Sequence, residues 1–277
     1  MTSSSGNYYE QEEHHPSLTD ASYKAYFFGP FRLEHENQAL GEPTWRRNKA
    51  KALLKWFLLN PGDLFSVEQL SNLFWPAVSL KVAASNLHVT LHYLRHILEP
   101  ETPTGSHSTF IRRNRHNYYW FDLNDTWWID LFDVQHLSLK AKEAERQENT
   151  VRAMNLYNQL IAYYSLTFLP EDVYEDIFAP YRRKHEYAYT QLLEHLMQLN
   201  LQNQRIDDAL SCAFRALTAD PYNENAVKTI VHVHLQQGNT MGALRQIDEF
   251  GDLLQHEVGI EPGADILSLR RTILDSR

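Results

Sequence analysis

The sequence predicts a mainly α-helical protein with a small β component, built from two successive domains. Three observations predict this fold class: helical spacing of apolar residues along most of the chain, aromatic-rich strand segments in the first half, and a 34-residue repeat in the second half. A length of 277 residues suits two ordinary domains better than one. No apolar run approaches the roughly 18 residues of a membrane span, so no membrane association is expected.

The net charge of −9 is distributed unevenly between these predicted domains. From Tyr23 to Asp122 there are 12 Lys/Arg against 8 Asp/Glu, whereas from Leu123 onward there are 14 against 23. Such asymmetry indicates one polyanion-binding part joined to a part that does not bind polyanions. Residues 1–22 are polar, lack the apolar core of a secretion signal, and are predicted to form a disordered tail. The single cysteine, Cys212, excludes an internal disulfide and fits the cytoplasm.

The first domain is predicted to open with short strands and continue with two helices. The segment 26–33 is aromatic-rich and interrupted by Gly-Pro, which is typical of a small antiparallel sheet. Apolar residues at helical spacing in 47–60 predict helix one. Ser66 and Gln69 form a capping-box pattern at the start of helix two, which Pro76 ends.

A third helix is predicted from Ser79 to about Glu99, with two distinct faces. Its predicted buried stripe consists of Ala84, Leu87, Leu91, Leu94 and Leu98. The opposite face cannot belong to the core because the leucines already occupy the core side. This polar and basic face consists of Lys81, Ser85, His88, Val89, His92, Arg95 and His96.

Residues 109–121 predict a strand, a basic turn and a second strand. The basic turn carries Arg112, Arg113, Arg115 and His116. Three helices followed by a basic ribbon are what a winged helix-turn-helix requires, so residues 23–122 are predicted to bind double-stranded DNA. Arg95, Lys81 and the histidines would reach phosphates or base edges from the major groove, and Val89 could contact a thymine methyl. The ribbon tip would contact phosphates or the adjacent minor groove.

The second domain, residues 123–277, is predicted to be an α-solenoid of tetratricopeptide-like helix pairs. Residues 202–210 align without gaps on 236–244, which places Ala209 and Ala243 at the 34-residue tetratricopeptide period. Pro221 and Pro262 are predicted to stand at helix entrances. A less regular earlier pair is predicted from Ala153 to Asn200.

Several of these segments resemble known families. The strand-rich start, Arg46-Arg47, LSNLFWP (70–76), NLHVTLHYLR (86–95) and the strand 118–121 together look like the OmpR/PhoB-type DNA-binding domain. The second half resembles the bacterial transcriptional activator domain of SARP-type (antibiotic regulatory protein) activators. The motifs that carry this second resemblance are Asp130-Leu131-Phe132, 219–224, 257–263 and 269–274.

The resemblance implies a DNA-binding activator that recognises direct-repeat DNA as side-by-side protomers and contacts RNA polymerase subunits. It assigns base reading to Val89, His92, Tyr93 and Arg95 in particular, and adds Arg46 and Arg47 to the DNA-binding set. The sequence departs from the family in the wing turn, where Arg115 and Asn117 stand in place of glycines. Because arginine tolerates a positive φ poorly, we expect a rearranged turn.

Other functions remain as alternatives. The winged helix could serve protein binding or dimerisation in a tetratricopeptide adaptor, and His88, His92 and His96 could bind a metal, although no carboxylate or cysteine completes such a site. Glu171 and Asp172 are interpreted as a solvated loop or a helix start. No catalytic constellation or cofactor motif is found, so no enzyme activity is predicted. Trp127 and Trp128 are predicted to pack the two domains together, and aromatic residues between 157 and 168 to form the interior of the helical array.

Overall fold

The computed structural model describes residues 17–40, 48–103 and 107–275 of the chain. These residues form two compact units: the first comprises Met1–His136 and Leu169–Ile177, the second Leu137–Phe168 and Phe178–Arg277. The predicted mainly α-helical fold with a small β component is confirmed. Within the described ranges, no helix combines the length and apolar character needed to cross a membrane.

Two small sheets and three helices make up most of the first unit. Its elements are β1 (Tyr23–Tyr26), β2 (Arg32–His35), β3 (Gln38–Ala39), α1 (Asn48–Leu59), β4 (Phe65–Ser66), α2 (Val67–Phe74), α3 (Leu80–Leu98), β5 (Ile111–Arg113), β6 (Tyr118–Phe121) and β7 (Trp127–Ile129). One sheet has the order β3-β2-β1-β7, in which β1 and β7 are parallel; the other has the order β4-β6-β5. Of the predicted tail 1–22, only residues 17–22 are described; Ser17–Asp20 form a turn and Ala21 is buried.

The helices of the first unit follow the predicted apolar spacing closely. The capping box of α2 is present: the Ser66 hydroxyl accepts a hydrogen bond from the Gln69 amide at 3.1 Å, and the Gln69 side chain accepts one from the Ser66 amide at 2.8 Å. The stripe of α3 contains Ala83 and not the predicted Ala84, because Ala83 lies one full turn before Leu87 on the same face.

The wing is the hairpin of β5 and β6, extended by β4 on the far side of β6. Its turn is closed by Asn114, whose side-chain oxygen accepts hydrogen bonds from the amides of His116 at 2.9 Å and Tyr118 at 3.0 Å. Within this turn Asn117 has a φ of 62°, while Arg115 keeps a negative φ. The turn therefore places asparagine, which tolerates the left-handed region, where that conformation is required.

Both tryptophans of β7 lie inside the first unit. Trp127 is fully buried, stacks on Tyr23 at a centroid distance of 4.7 Å, and meets Phe121 edge-on. The Trp128 indole donates a hydrogen bond to Asp133 at 3.1 Å. The first unit extends beyond Asp122 because β7 adds a strand to its N-terminal sheet.

Asp130 anchors the loop that connects β1 to β2. Its Oδ2 accepts hydrogen bonds from the backbone amides of Phe27 at 2.7 Å and Phe28 at 2.9 Å. Asp130 is almost completely buried, and burial raises its pKa to about 7 despite these two donors. The Asp130 carboxyl group thus links the residue that follows β7 to the loop between β1 and β2.

The second unit is helical throughout its described elements. It contains most of α4 (Asp130–Arg146), which begins in the first unit, followed by α5 (Thr150–Tyr164), α6 (Ala179–Gln202), α7 (Ile206–Ala219), α8 (Glu224–Gln236), α9 (Thr240–Glu257) and α10 (Ala264–Asp275). Consecutive helices from α5 to α10 pack against one another. The predicted interior positions are confirmed for Tyr157 and Phe168, which are buried, whereas Tyr163 and Tyr164 are half-buried.

The 34-residue repeat corresponds to the pairs α7–α8 and α9–α10. Ala209 and Ala243 occupy equivalent positions near the starts of α7 and α9, and both are fully buried. The prediction that proline opens the second helix of each pair is wrong by two or three residues. In the first pair Asn223 is the N-cap, and its side chain accepts a hydrogen bond from the Ala226 amide at 2.9 Å. In the second pair the Gly263 amide donates to Glu224 at 2.7 Å, directly before α10.

Candidate nucleic-acid interface

The exposed face of α3 contains six of the residues that the sequence assigns to DNA binding. The leucine stripe packs into the first unit and leaves the opposite side of the helix in solvent. The exposed residues on that side are Lys81, Ser85, His88, Val89, His92 and His96. Val89 is an apolar side chain on this face and is 47% exposed.

Tyr93 and Arg95, the other two assigned residues of α3, are half-buried. Arg95 connects the helix to the wing, because its Nη2 donates a hydrogen bond to the Ile111 carbonyl at 2.9 Å. Its Nε is buried with no hydrogen-bond partner among the described residues. Burial lowers the pKa of the Arg95 guanidinium, an effect that Tyr119 and Glu99 oppose. The helical period places Arg95 on the open face and contains no signal for this tether.

Between the C-terminal half of α3 and the wing lies a cleft of about 850 Å³. Its cationic and histidine lining comes from both elements and from the connecting loop. These residues are His92, Arg95, His96, His107, Arg112, Arg113 and Arg115. The cleft thus brings the predicted arginines of the helix and the wing to one surface, whereas Lys81 lies outside it, near the start of α3.

Local contacts hold the wing arginines in different ways. Arg112 is half-buried and forms an ion pair with Asp122 at 3.0 Å. Arg113 hydrogen-bonds the Asn117 side chain at 3.1 Å and lies 5.7 Å from the centre of the Tyr119 ring. Arg115 and His116 are exposed at the tip. Arg115 and Arg113 therefore present their charge to solvent more fully than Arg112 does.

Two acidic residues, Glu99 and Asp122, also line the cleft, and Glu99 makes structural hydrogen bonds. It accepts hydrogen bonds from the Ser108 hydroxyl and from the Thr109 amide, the latter at 2.7 Å. These bonds hold the loop that contains His107 against the end of α3. His107 was not predicted, because no periodic pattern marks a loop residue. Arg46 and Arg47, predicted to bind DNA, lie outside the described residues.

The arrangement is suited to non-covalent binding of a polyanion. Several cationic or titratable side chains converge on an open surface, and such surfaces attract phosphate groups. His88, His92 and His96 stay in solvent on one face of α3, and the described residues contain no group of three or more His, Cys, Asp or Glu arranged to hold a metal.

Comparisons with known proteins identify the second half of the chain. Residues 129–274 match the family model described as bacterial transcriptional activator domain (BTAD). No curated protein matches the chain. Among solved structures, Mycobacterium tuberculosis EmbR, determined in complex with a low-affinity phosphopeptide, is similar to this chain with a TM-score of 0.71.

The similarity to EmbR covers 92% of this chain at 15% sequence identity, and the chain spans 66% of the EmbR chain. At this identity the comparison establishes the shared fold: a winged-helix unit with a small β component, followed by a helical array. The BTAD match covers more than half of the chain and contains the motifs that carried the resemblance in the second half. The chain therefore belongs to the bacterial transcriptional activator domain family, as a SARP-type regulator.

Proposed function

We propose that this regulator binds double-stranded DNA in a sequence-specific manner and activates transcription in the cytoplasm by recruiting RNA polymerase. The observation that supports this most strongly is the shared cleft, to which α3 and the wing both contribute arginines. A winged helix that acts only as a protein-binding module has no need of such convergent positive charge. In this proposal Arg46 and Arg47, which precede α1 in the sequence, also bind DNA.

Two kinds of contact are assigned to the interface. The exposed face of α3, with Ser85, Val89 and His92, would enter the major groove and contact base edges. Arg113, Arg115 and His116 at the wing would contact phosphates or the minor groove. Arg95 links these two elements through its hydrogen bond to the Ile111 carbonyl. Protomers side by side on direct repeats would double this contact set, and free dimers are not required.

Recruitment of RNA polymerase is assigned to the connection between α2 and α3. Val78 in this connection and Leu80, the first residue of α3, are 44% and 48% exposed. Neighbouring apolar side chains left in solvent indicate a protein contact. This segment precedes the helix face assigned to DNA, so a protein could contact it while α3 occupies the groove.

The test is selection of binding sites from random duplex DNA with the purified full chain at about 150 mM salt, where a specific site is expected to bind at roughly 10 nM or tighter. Enrichment of a repeated half-site at one-turn spacing supports a sequence-specific regulator that binds as adjacent protomers. Binding that is absent, or that shows no sequence preference, contradicts the proposal and favours a tetratricopeptide adaptor whose winged helix binds protein.

A further inference from the structure

Nine residues from within the activator-domain sequence belong to the DNA-binding unit. This segment, Leu169–Ile177, is called the strap here; the chain enters it after Phe168 and returns to the second unit at Phe178. Leu169 is fully buried, and its amide donates to the Phe27 carbonyl at 3.1 Å. Its φ of 47° is rare for a leucine, and the surrounding contacts hold the backbone in that conformation.

The strap neutralises a buried lysine of α1. The Lys55 side chain is 1% exposed, and its ammonium lies 2.8 Å from Glu171 Oε1 and also contacts Asp172. The same Glu171 oxygen accepts a hydrogen bond from the Phe31 amide at 2.9 Å. Of the two predicted interpretations, the helix start is confirmed, because Glu171 and Asp172 lie in the first turn of a short 3-10 helix, Pro170–Asp172; their contact with Lys55 was not predicted. Their charges face a cation in the first unit, although Lys55 and Glu171 are more than 100 residues apart in the sequence.

A buried ammonium without a carboxylate partner is strongly unfavourable. The stability of α1, which carries Lys55, therefore depends on the strap keeping Glu171 and Asp172 beside it. Burial raises the pKa of Glu171, but the hydrogen bond and the charge of Lys55 outweigh burial and lower the pKa overall. Glu171 is therefore held as a carboxylate. α1 packs directly against α3, the helix that presents the candidate DNA surface. A continuous path of contacts thus runs from the strap through α1 to α3.

We propose that Lys55, Glu171 and Asp172 are positioning residues for DNA binding, through which the strap fixes α1 and thereby α3. The inference rests on the proposed function, because it assigns DNA binding to the α3 surface. No residue of the strap lines the cleft, so its proposed effect on DNA binding is indirect. By thermodynamic linkage, DNA bound to α3 also stabilises the contact between the strap and α1.

Three variants of the full chain separate positioning from simple loss of charge. Glu171→Gln with Asp172→Asn leaves Lys55 buried without a carboxylate. The triple variant, with Lys55→Met added, removes the buried charge as well. Lys49→Met with Glu175→Gln is the matched control, because it removes an exposed pair between the same helix and the strap, with the two charged atoms 3.6 Å apart.

Two measurements are made under conditions in which circular dichroism shows each variant to be fully folded. Amide hydrogen exchange reports the opening of α1 and α3. Fluorescence anisotropy gives Kd for a labelled duplex of the sequence selected above. We expect the double variant to exchange α3 amides about tenfold faster and to raise Kd about tenfold, the triple variant to restore both, and the control to change neither. A purely structural role would not change Kd of the folded protein.

A folded double variant with unchanged α3 exchange and unchanged Kd overturns the inference. A triple variant as weak as the double variant also overturns it, because the uncompensated charge of Lys55 is then not the cause. If the double variant does not fold, Glu171→Gln alone is compared with the triple variant by the same criteria. If the natural chain selects no DNA sequence, the proposed function fails, and hydrogen exchange alone then decides whether the strap fixes α3.

Discussion

The contacts inside the first unit differ in kind from the contacts inside the second unit. In the first unit, buried polar side chains join segments that are far apart in the chain, as Asp130 does with Phe27 and Phe28, and Lys55 with Glu171. In the second unit, helices pack mainly on their sequence neighbours, and the cap at Asn223 combines a bond to the Ala226 amide with a longer-range bond to Glu194. A single polar substitution should therefore affect the first unit more severely than the second.

The largest effect is expected from removal of the Asp130 carboxyl group. Asp130→Ala leaves two buried amides without an acceptor, and we expect the first unit to lose about 3 kcal/mol of unfolding free energy. All six tryptophans precede residue 129, so tryptophan fluorescence during urea unfolding reports this unit. Asp130→Asn, which keeps an acceptor oxygen, is the control and should lose about 1 kcal/mol or less. Equal losses in both variants would show that the hydrogen bonds do not anchor the loop.

The pH dependence of the same anchor gives the next effect. Burial raises the pKa of Asp130 from 3.8 to about 7, so folding favours the protonated acid. Its contribution to stability is full below about pH 4 and decreases as the pH rises toward 7, by at most about 1.4 kcal/mol per pH unit. Urea unfolding of the natural chain and Asp130→Asn at pH 5 and pH 7 measures the difference. The stability advantage of the natural carboxyl over asparagine should shrink with rising pH; an advantage that grows would contradict a raised pKa.

At the candidate interface, Arg95 should matter more than the wing arginines. Arg95→Ala removes a charge and the bond to Ile111, and should raise Kd for selected DNA about tenfold, or about 1.4 kcal/mol. Arg112→Ala with Arg113→Ala should reduce the slope of log K against log salt by about 1 to 2, because each phosphate contact contributes about 0.9. Binding titrations from about 50 to 200 mM salt measure both. Unchanged affinity in both variants would remove this surface from the proposed interface.

The smallest effect is expected in the second unit. Asn223→Ala removes the N-cap of α8 and a hydrogen bond to Glu194 at 2.7 Å, and should reduce stability by about 1 kcal/mol. Thermal unfolding followed at 222 nm should shift, while the tryptophan transition stays in place. A shift of the tryptophan transition by the same amount would show that the units unfold as one, and would remove the contrast between them.

Local patterns in the sequence were sufficient for the periodic parts of the fold. The leucine stripe of α3, the capping box at Ser66 and the spacing of Ala209 and Ala243 all depend on residues close in sequence, and the structure contains each of them. They also located the exposed face of α3 and the basic wing.

The long-range contacts could not be predicted in this way. The parallel pairing of β1 with β7 and the seat of Lys55 each join distant segments, and no spacing rule connects them. An acidic pair such as Glu171-Asp172 has the same local pattern whether it faces solvent or a buried cation. The half-burial of Arg95 depends on how closely the wing approaches α3, which the helical period does not contain.

The discontinuous course of the first unit has a consequence during synthesis on the ribosome. A ribosome that has completed the wing at Phe121 must add about 55 more residues before the strap exists, which takes roughly 3 to 11 s at ordinary elongation rates. During this interval the nascent chain carries Lys55 without the carboxylates that neutralise it. A regulator of this design completes its winged helix only after the first segment of its partner domain, Leu137–Phe168, has been translated, so products terminated before the strap would lack a finished winged helix.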